Sequence, residues 1–201
     1  MRKILSVITV MLFLVVLVAC GKQDYSNPSL ITLEYYDYLD DNNPVITIDV
    51  KDIGIMEVQL FPDVAPLTVA NIVSYIEDEA YSNSSFHRVI YDFMIQGGIV
   101  ENNKAPIEGE FIANGINNPL KHTRGVISMA RTNVPNSATS QFYIVHKASH
   151  WLDGQYAGFG GLISGFEVLD TIAKVETNNS DAPTSEIVIK SITIELNGYK
   201  K

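Results

Sequence analysis

The residues best suited to chemistry lie in two neighbouring runs, Phe-His-Arg-Val-Ile at 86–90 and Phe-Met-Ile-Gln-Gly-Gly at 93–98. Side chains alternate between the two faces of a β-strand, so Arg88 and Ile90 share one side, and Met94 and Gln96 share a side of the second run. One fixed cation and one amide therefore lie among large apolar side chains. This combination predicts a site that binds an uncharged, proline-like group and polarises an amide beside it.

The elements that must position these runs are predicted from the period of the apolar residues. Alternating apolar residues at 46–50 and 56–60 predict a hairpin, and apolar residues at helical spacing after Pro66 predict a helix that ends at the acidic residues 77–79. Further strands are predicted at 85–90, 93–97, 126–130, 140–146, 158–163 and 186–196, with a second helix near 166–175 and a loop at 99–122. Many short strands with only two helices favour a mainly β fold, a closed antiparallel barrel capped at its ends.

Composition excludes some classes of function. The chain has 201 residues, of which 46% are hydrophobic, enough for a sizeable core. Its formal net charge is -9, and the sequence assembles no cluster of Lys and Arg that would neutralise phosphates. We therefore expect no binding to nucleic acid.

The N-terminus has the pattern of an export signal. Arg2 and Lys3 precede an apolar run at 4–18 that is too short for a comfortable membrane span, which predicts a signal peptide at 1–19. The run Leu-Val-Ala-Cys at 17–20 resembles the bacterial lipoprotein box, in which the cysteine is lipidated. We expect an extracytoplasmic lipoprotein anchored to the cell membrane through Cys20, the only cysteine. The alternative is a plain signal or anchor helix with an incidental cysteine.

Residues 20–43 are polar, acidic and rich in tyrosine, without a sustained period. We interpret them as a lipidated N-terminus and flexible tether, followed by one domain at 44–201. The tyrosines leave a second possibility open, in which this segment docks on the domain as an extra strand.

Three more runs complete a recognisable set: Ser-Met-Ala-Arg-Thr at 128–132, Ser-Ala-Thr-Ser-Gln-Phe-Tyr-Ile-Val at 137–145 and Trp-Leu-Asp-Gly at 151–154. With 86–98, and in this order, they resemble the signature of cyclophilin-type peptidyl-prolyl cis-trans isomerases over about residues 44–197. The resemblance implies a closed eight-stranded antiparallel barrel with two capping helices and a site on its outer face. It also implies an enzyme (EC 5.2.1.8) that needs no cofactor, metal or covalent intermediate and acts on proline-containing unfolded or folding polypeptides. The sequence does not indicate an oligomeric state, and we take a monomer as the default expectation.

Residue by residue, the resemblance implies that Arg88 is catalytic. It implies a substrate-binding set of Phe93, Met94, Gln96, Ala130, Arg131, Gln141, Tyr143, Trp151, Leu152 and Tyr156. Three of these depart from common family members: Tyr143 stands where many carry Phe, Tyr156 where animal members often carry His, and Arg131 where those members carry Asn. Ala-Arg-Thr is, however, similar to bacterial members. We expect the departures to affect substrate preference more than activity.

One rival function stays open, and a second has no support beyond scattered Ser and His residues. A proline-peptide-binding module or holdase chaperone would keep the groove with little turnover, whereas an acyl-transfer hydrolase would need a nucleophile elbow that the sequence lacks. His146 and His150 are four residues apart, a spacing that can bind metal on a helix. Because they flank a predicted strand end, we interpret them as hydrogen-bonded surface histidines.

Overall fold

The structure is a computed structural model that describes residue 30 and residues 32–200. The predicted signal peptide and Cys20 lie outside the described residues. Two α-helices and nine strands occur in the described part, in the order β1 (Val45–Val50), β2 (Gly54–Leu60), α1 (Pro66–Glu77), β3 (Ser84–Ser85), β4 (Arg88–Ile90), β5 (Met94–Gly97), β6 (Val126–Met129), β7 (Phe142–Val145), β8 (Gly158–Ser164), α2 (Phe166–Ala173) and β9 (Val188–Glu195). Short 3-10 helices lie at Tyr36–Tyr38, Ile112–Asn114 and His150–Leu152.

All nine strands belong to one antiparallel sheet, curled as a half-barrel, with the order β3-β9-β1-β2-β8-β6-β7-β5-β4. The predicted count of eight was wrong because the strand predicted at 85–90 is divided in two. Phe86 donates its N–H to Ile187 O beside β9, whereas His87 donates its N–H to Gln96 O of β5. The chain changes its pairing partner between these two residues, so 84–90 contributes to both edges of the sheet.

The predicted alternation builds the core. Met56, Val58 and Leu60 of β2 are buried, as are Ile46, Ile48 and Val50 of β1. They pack with α1 and α2 in one hydrophobic cluster. Helix α1 begins at Pro66 as predicted, and its first free N–H groups are capped by a distant carboxylate, because Leu67 N and Thr68 N donate to Glu110 at 3.0 and 2.7 Å.

The N-terminal segment, residues 32–43, is not a free tether, so that expectation was wrong for these residues. Tyr35 is 1% exposed, and its side chain fills a notch at Gly125 and Gly161, where a Cβ would overlap its hydroxyl oxygen and its ring, respectively. Asp40 and buried Gln59 exchange two hydrogen bonds, of 2.9 and 3.0 Å. The segment docks through these contacts and a 3-10 helix, and not as the extra strand that was the alternative.

Among the described residues, none of the helices combines the length and apolar character required to cross a membrane.

Candidate active site

A cavity of about 290 Å³ opens on the outer side of the sheet. Its lining consists of Arg88, Phe93, Met94, Gln96, Ala130, Arg131, Tyr143, Leu152 and Tyr156. Every lining residue belongs to the set predicted from the sequence. Gln141 and Trp151 belong to the predicted set but not to the lining.

Strand register explains why these side chains meet. Arg88 of β4 lies opposite Gln96 of β5, Gln96 lies opposite Tyr143 of β7, and Tyr143 lies opposite Ser128 of β6. Directly paired residues point to the same face, so the four side chains form one row across four strands. The adjacent row, Val89, Ile95, Ile144 and Ile127, points the other way and is buried in the core.

Arg88 is held by a residue that the sequence analysis missed. Its Nε donates to Asp181 Oδ2 at 3.3 Å, and the two side chains are 43% and 44% exposed. The guanidinium is therefore neither buried against the carboxylate nor turned away from the cavity that it lines. Asp181 lies in the polar turn before β9. The residue types there indicate only a turn, and nothing in the sequence connects that turn to Arg88.

The apolar wall of the cavity belongs to a second hydrophobic cluster, separate from the core. Met94, Tyr143 and Leu152 are each less than 10% exposed, and the rings of Tyr143 and Tyr156 meet edge to face with centroids 6.1 Å apart. The same cluster contains Tyr35 of the N-terminal segment. The cavity thus has a buried apolar floor on one side and the partly exposed cation of Arg88 on the other.

Trp151 and Gln141 support the cavity from outside its lining. Trp151 is 65% exposed, and its ring lies 5.5 Å from the ring of Phe93, so it extends the apolar rim. Gln141 Oε1 accepts a 3.1 Å hydrogen bond from Gln96 Nε2, which fixes the orientation of the lining amide.

Arg131 forms part of the cavity wall, and its guanidinium is held by neighbouring groups. Its guanidinium carbon lies 4.9 Å from the ring centre of Phe111 and 4.4 Å from that of Tyr156. Its two terminal nitrogens donate to Thr132 O and Gln155 O, each at 2.8 Å. Stacking and hydrogen bonding together immobilise this side chain.

Behind the cavity floor runs a buried hydrogen-bond relay that the sequence analysis did not find. His122 Nδ1 lies 3.1 Å from Asp153 Oδ1, and His122 Nε2 lies 3.0 Å from Ser128 Oγ. An ionised carboxylate can only accept, so Nδ1 carries the proton and Nε2 of the neutral ring accepts from the Ser128 hydroxyl. The His122 ring also stacks on Tyr143 at 6.2 Å.

The electrostatics of the relay follow from burial. Burial lowers the pKa of His122, and this outweighs the hydrogen bond and charge of Asp153, which raise it. Burial alone would raise the pKa of Asp153, but hydrogen bonds from the His122 backbone N–H and from the rings of His122 and His150 outweigh it, and the pKa is lowered. Burial raises the pKa of Tyr143, whose hydroxyl has no hydrogen-bond partner of ordinary geometry within the described part of the chain.

The two histidines considered as metal ligands have other roles. His146 is only 8% exposed, so the prediction of a surface position was wrong for it; its Nδ1 accepts from Asp92 N at 3.2 Å and its Nε2 lies 3.1 Å from Asp170 Oδ1. His150 is exposed and lies 3.1 Å from Asp153 Oδ2. In the part of the chain that the structure describes, no group of three or more His, Cys, Asp or Glu is arranged to hold a metal ion.

Comparison with known proteins gives this arrangement a family. The family model described as cyclophilin type peptidyl-prolyl cis-trans isomerase/CLD matches residues 45–194. The chain belongs to the cyclophilin family. It is 40% identical over 154 residues to peptidyl-prolyl cis-trans isomerase B of Escherichia coli, covering 70% of this chain and 94% of that protein. It is 39% identical over 154 residues to an isomerase of Acinetobacter baylyi, covering 72% and 82%.

Solved cyclophilins have the same fold. A crystal structure of a Cryptosporidium parvum cyclophilin-type isomerase superposes with a TM-score of 0.70 at 30% identity, covering 76% of this chain and 98% of that one. A second crystal structure of the same protein, in the presence of the dipeptide Ala-Pro, gives a TM-score of 0.68 at 31% identity, covering 75% and 98%. The family and the relatives are peptidyl-prolyl cis-trans isomerases, so this chain is a cyclophilin-type isomerase.

Proposed function

We propose that this cyclophilin accelerates rotation about X-Pro bonds in extracytoplasmic proteins as they fold, with Arg88 as its catalytic residue. The observation that carries the proposal is the arrangement of Arg88, whose Nε donates to Asp181. Among the described residues neither terminal nitrogen has a hydrogen-bond partner, so both are available to a group in the cavity. A cavity of about 290 Å³ fits one pyrrolidine ring and its flanking peptide.

The chemistry requires only that the twisted amide be bound better than the planar one. Rotation must break amide resonance, with a barrier of roughly 18 to 20 kcal/mol, and uncatalysed exchange takes tens to hundreds of seconds. Twisting concentrates a lone pair on the prolyl nitrogen, and a guanidinium N–H directed at that nitrogen stabilises it. The wall of Met94, Tyr143 and Leu152 holds the ring, so that the other side of the amide turns.

Substrate binding is assigned to the predicted set around Arg88. Phe93, Met94, Tyr143 and Leu152 surround the proline ring, and Gln96 donates or accepts at the peptide beside it. Trp151 and the wall formed by Arg131 and Tyr156 contact flanking residues. No covalent intermediate is needed, because no bond other than the amide's partial double bond changes.

The test is an exchange assay on a short X-Pro peptide, by NMR or protease coupling, with wild type, Arg88→Ala and Arg88→Lys. Loss of one or two charge-assisted hydrogen bonds, each about 1.5 to 3 kcal/mol, predicts that Arg88→Ala lowers kcat/KM at least tenfold. Arg88→Lys keeps the charge but loses the planar fork, and we expect only partial recovery. Equal activity of folded Arg88→Ala and wild type contradicts the mechanism. An inactive wild type that still binds the peptide favours the holdase alternative.

The cellular setting is proposed from the N-terminal sequence. The charged residues, apolar run and lipobox-like Leu-Val-Ala-Cys support export and lipidation of Cys20 in a mature chain that begins there. We expect Cys20→Ala to release the protein from membranes and to abolish incorporation of labelled palmitate, whereas Ser26→Ala leaves both unchanged. Membrane retention of Cys20→Ala contradicts lipidation at this thiol.

Two structural points belong to the same proposal. The edge strands β3 and β4 come from one continuous segment, 84–90, which supports closure of the curled sheet into a barrel. The mature protein acts as a monomer, to be checked by sedimentation velocity.

A further inference from the structure

We propose that Asp181 is a positioning residue for the isomerase reaction, which holds the Arg88 guanidinium so that its terminal nitrogens face the prolyl amide. The inference rests on the proposed function of Arg88. Among the described residues, the 3.3 Å contact from Arg88 Nε to Asp181 Oδ2 is the ion pair that Arg88 makes. A hydrogen bond at Nε restricts rotation of the guanidinium plane without using the two nitrogens that point away from the side-chain stem.

The backbone holds Asp181 in place independently of the ion pair. Asp181 O accepts a 2.8 Å hydrogen bond from Val89 N, the residue next to Arg88, so the loop is joined to β4 at this point. The side chain of Asn178 folds the loop, because its Oδ1 accepts from Ser180 N at 2.9 Å and Ala182 N at 3.1 Å. Asp181 itself has a φ of 60°, a conformation that Asp and Asn tolerate better than most residues.

Two effects of Asp181 on Arg88 oppose each other. The carboxylate reduces the positive potential that the guanidinium presents to the substrate, which would slow the reaction. It also removes rotational freedom from a long side chain, which favours the reactive geometry. Both groups are more than 40% exposed, so solvent screens the charge effect strongly, while the geometric restraint does not depend on screening. The geometric restraint from Asp181 therefore outweighs its effect on the potential of Arg88.

The experiment removes and restores the acceptor. Asp181→Gly deletes the side chain at a backbone conformation that glycine adopts without strain, and Asp181→Asn keeps an acceptor oxygen without the charge. We expect Asp181→Gly to lower kcat/KM by about three- to tenfold, mainly through kcat, and Asp181→Asn to stay within about twofold of wild type. Glu176→Gln, which removes another exposed acidic charge near the loop, is the matched control and leaves the kinetics unchanged.

Testing Asp181→Gly in the Arg88→Lys variant separates a positioning role of Asp181 from a general loss of structure. Lysine has no Nε–H group, so in Arg88→Lys the change Asp181→Gly has no further effect if Asp181 acts through Nε. The Arg88 Nε–Hε signal in a ¹H–¹⁵N spectrum supplies a direct readout: we expect it to shift and to exchange faster with water in Asp181→Gly, but not in Glu176→Gln.

Unchanged kinetics in Asp181→Gly, or an equal loss in the Arg88→Lys background, overturns the proposal. A loss in Asp181→Asn as large as that in Asp181→Gly overturns it too, because charge and not geometry would then be responsible. Failure of the proposed function looks different: the wild type is then inactive on the peptide, while the Nε–Hε signal still reports whether Asp181 holds Arg88.

Discussion

Tyr35 is the residue that most directly tests whether the N-terminal segment is part of the folded domain. The perturbation is Tyr35→Ala, with Tyr35→Phe as the finer variant. The ring is 1% exposed and lies against Gly125 and Gly161, and its hydroxyl donates a 2.8 Å hydrogen bond to Leu162 O. A further contact, to the ring of Phe61, has a centroid distance of 6.2 Å.

The magnitude follows from what each variant removes. Truncating a buried aromatic ring to alanine typically costs about 3 to 5 kcal/mol, and losing one buried hydrogen bond costs about 1 kcal/mol. The segment precedes β1, so it can detach while the sheet stays folded, and the loss cannot exceed the free energy of docking. We therefore expect a loss of about 3 kcal/mol in the free energy of unfolding for Tyr35→Ala and about 1 kcal/mol for Tyr35→Phe.

Urea unfolding measures both losses, and amide hydrogen exchange at residues 32–43 shows whether the segment has detached. Tyr36→Ala is the matched control, because Tyr36 is the adjacent tyrosine but is only partly buried. We expect it to change stability by less than about 0.5 kcal/mol. If Tyr35→Ala unfolds like wild type and amide exchange in the segment is already fast, the segment is a tether and does not dock on the sheet.

Three further predictions concern the site. The pKa of His122 in the folded state lies below its unfolded value of 6.5, so the unfolded state binds more protons than the folded state. The free energy of unfolding therefore falls as the pH drops below about 6.5, by at most about 1.4 kcal/mol per pH unit. Urea unfolding from pH 5 to 8 should show a shallower slope for His122→Gln, and an unchanged slope would contradict a buried neutral ring. Tyr143→Phe removes a buried hydroxyl that has no hydrogen-bond partner among residues 32–200, so unfolding should show no loss of stability. A loss above about 1 kcal/mol would mean that the hydroxyl has a partner. Arg131→Lys loses two hydrogen bonds and the stacked guanidinium plane. In peptide kinetics we expect KM to rise about threefold with kcat little changed. An unchanged KM would exclude Arg131 from the substrate-binding wall.

Local pattern predicted most of the fold because each strand alternates independently of its partners. The faces shared by Arg88 and Ile90, and by Met94 and Gln96, follow from the period of a strand alone. The row that joins Arg88, Gln96 and Tyr143 requires the register of three strands, which alternation does not supply. The ordered family motifs identified the members of the row, and the structure shows how they meet.

The features that sequence reasoning missed all depend on partners that are distant along the chain. Asp181 lies 93 residues after Arg88, and Tyr35 lies 127 residues before the carbonyl that it binds. A turn of Asn, Ser and Asp indicates only a turn, and a tyrosine in an acidic stretch indicates only polarity. Gly125 and Gly161 were the signal in the sequence for docking of the N-terminal segment, because a backbone without side chains can accommodate an aromatic ring. A glycine does not, however, specify which ring packs against it.

The relay Asp153–His122–Ser128 shows why hydrogen-bond connectivity alone does not establish a hydrolase. A nucleophilic serine must reach a carbonyl carbon, with an oxyanion site about 3 Å away. Ser128 and His122 are 0% exposed, and Ser128 is not part of the cavity lining, whereas its strand partner Tyr143 is. Ser128 Oγ is therefore not accessible to a carbonyl group in the cavity. The same three residues instead hold the floor in one position, and a rigid floor is what rotation about a clamped prolyl bond requires.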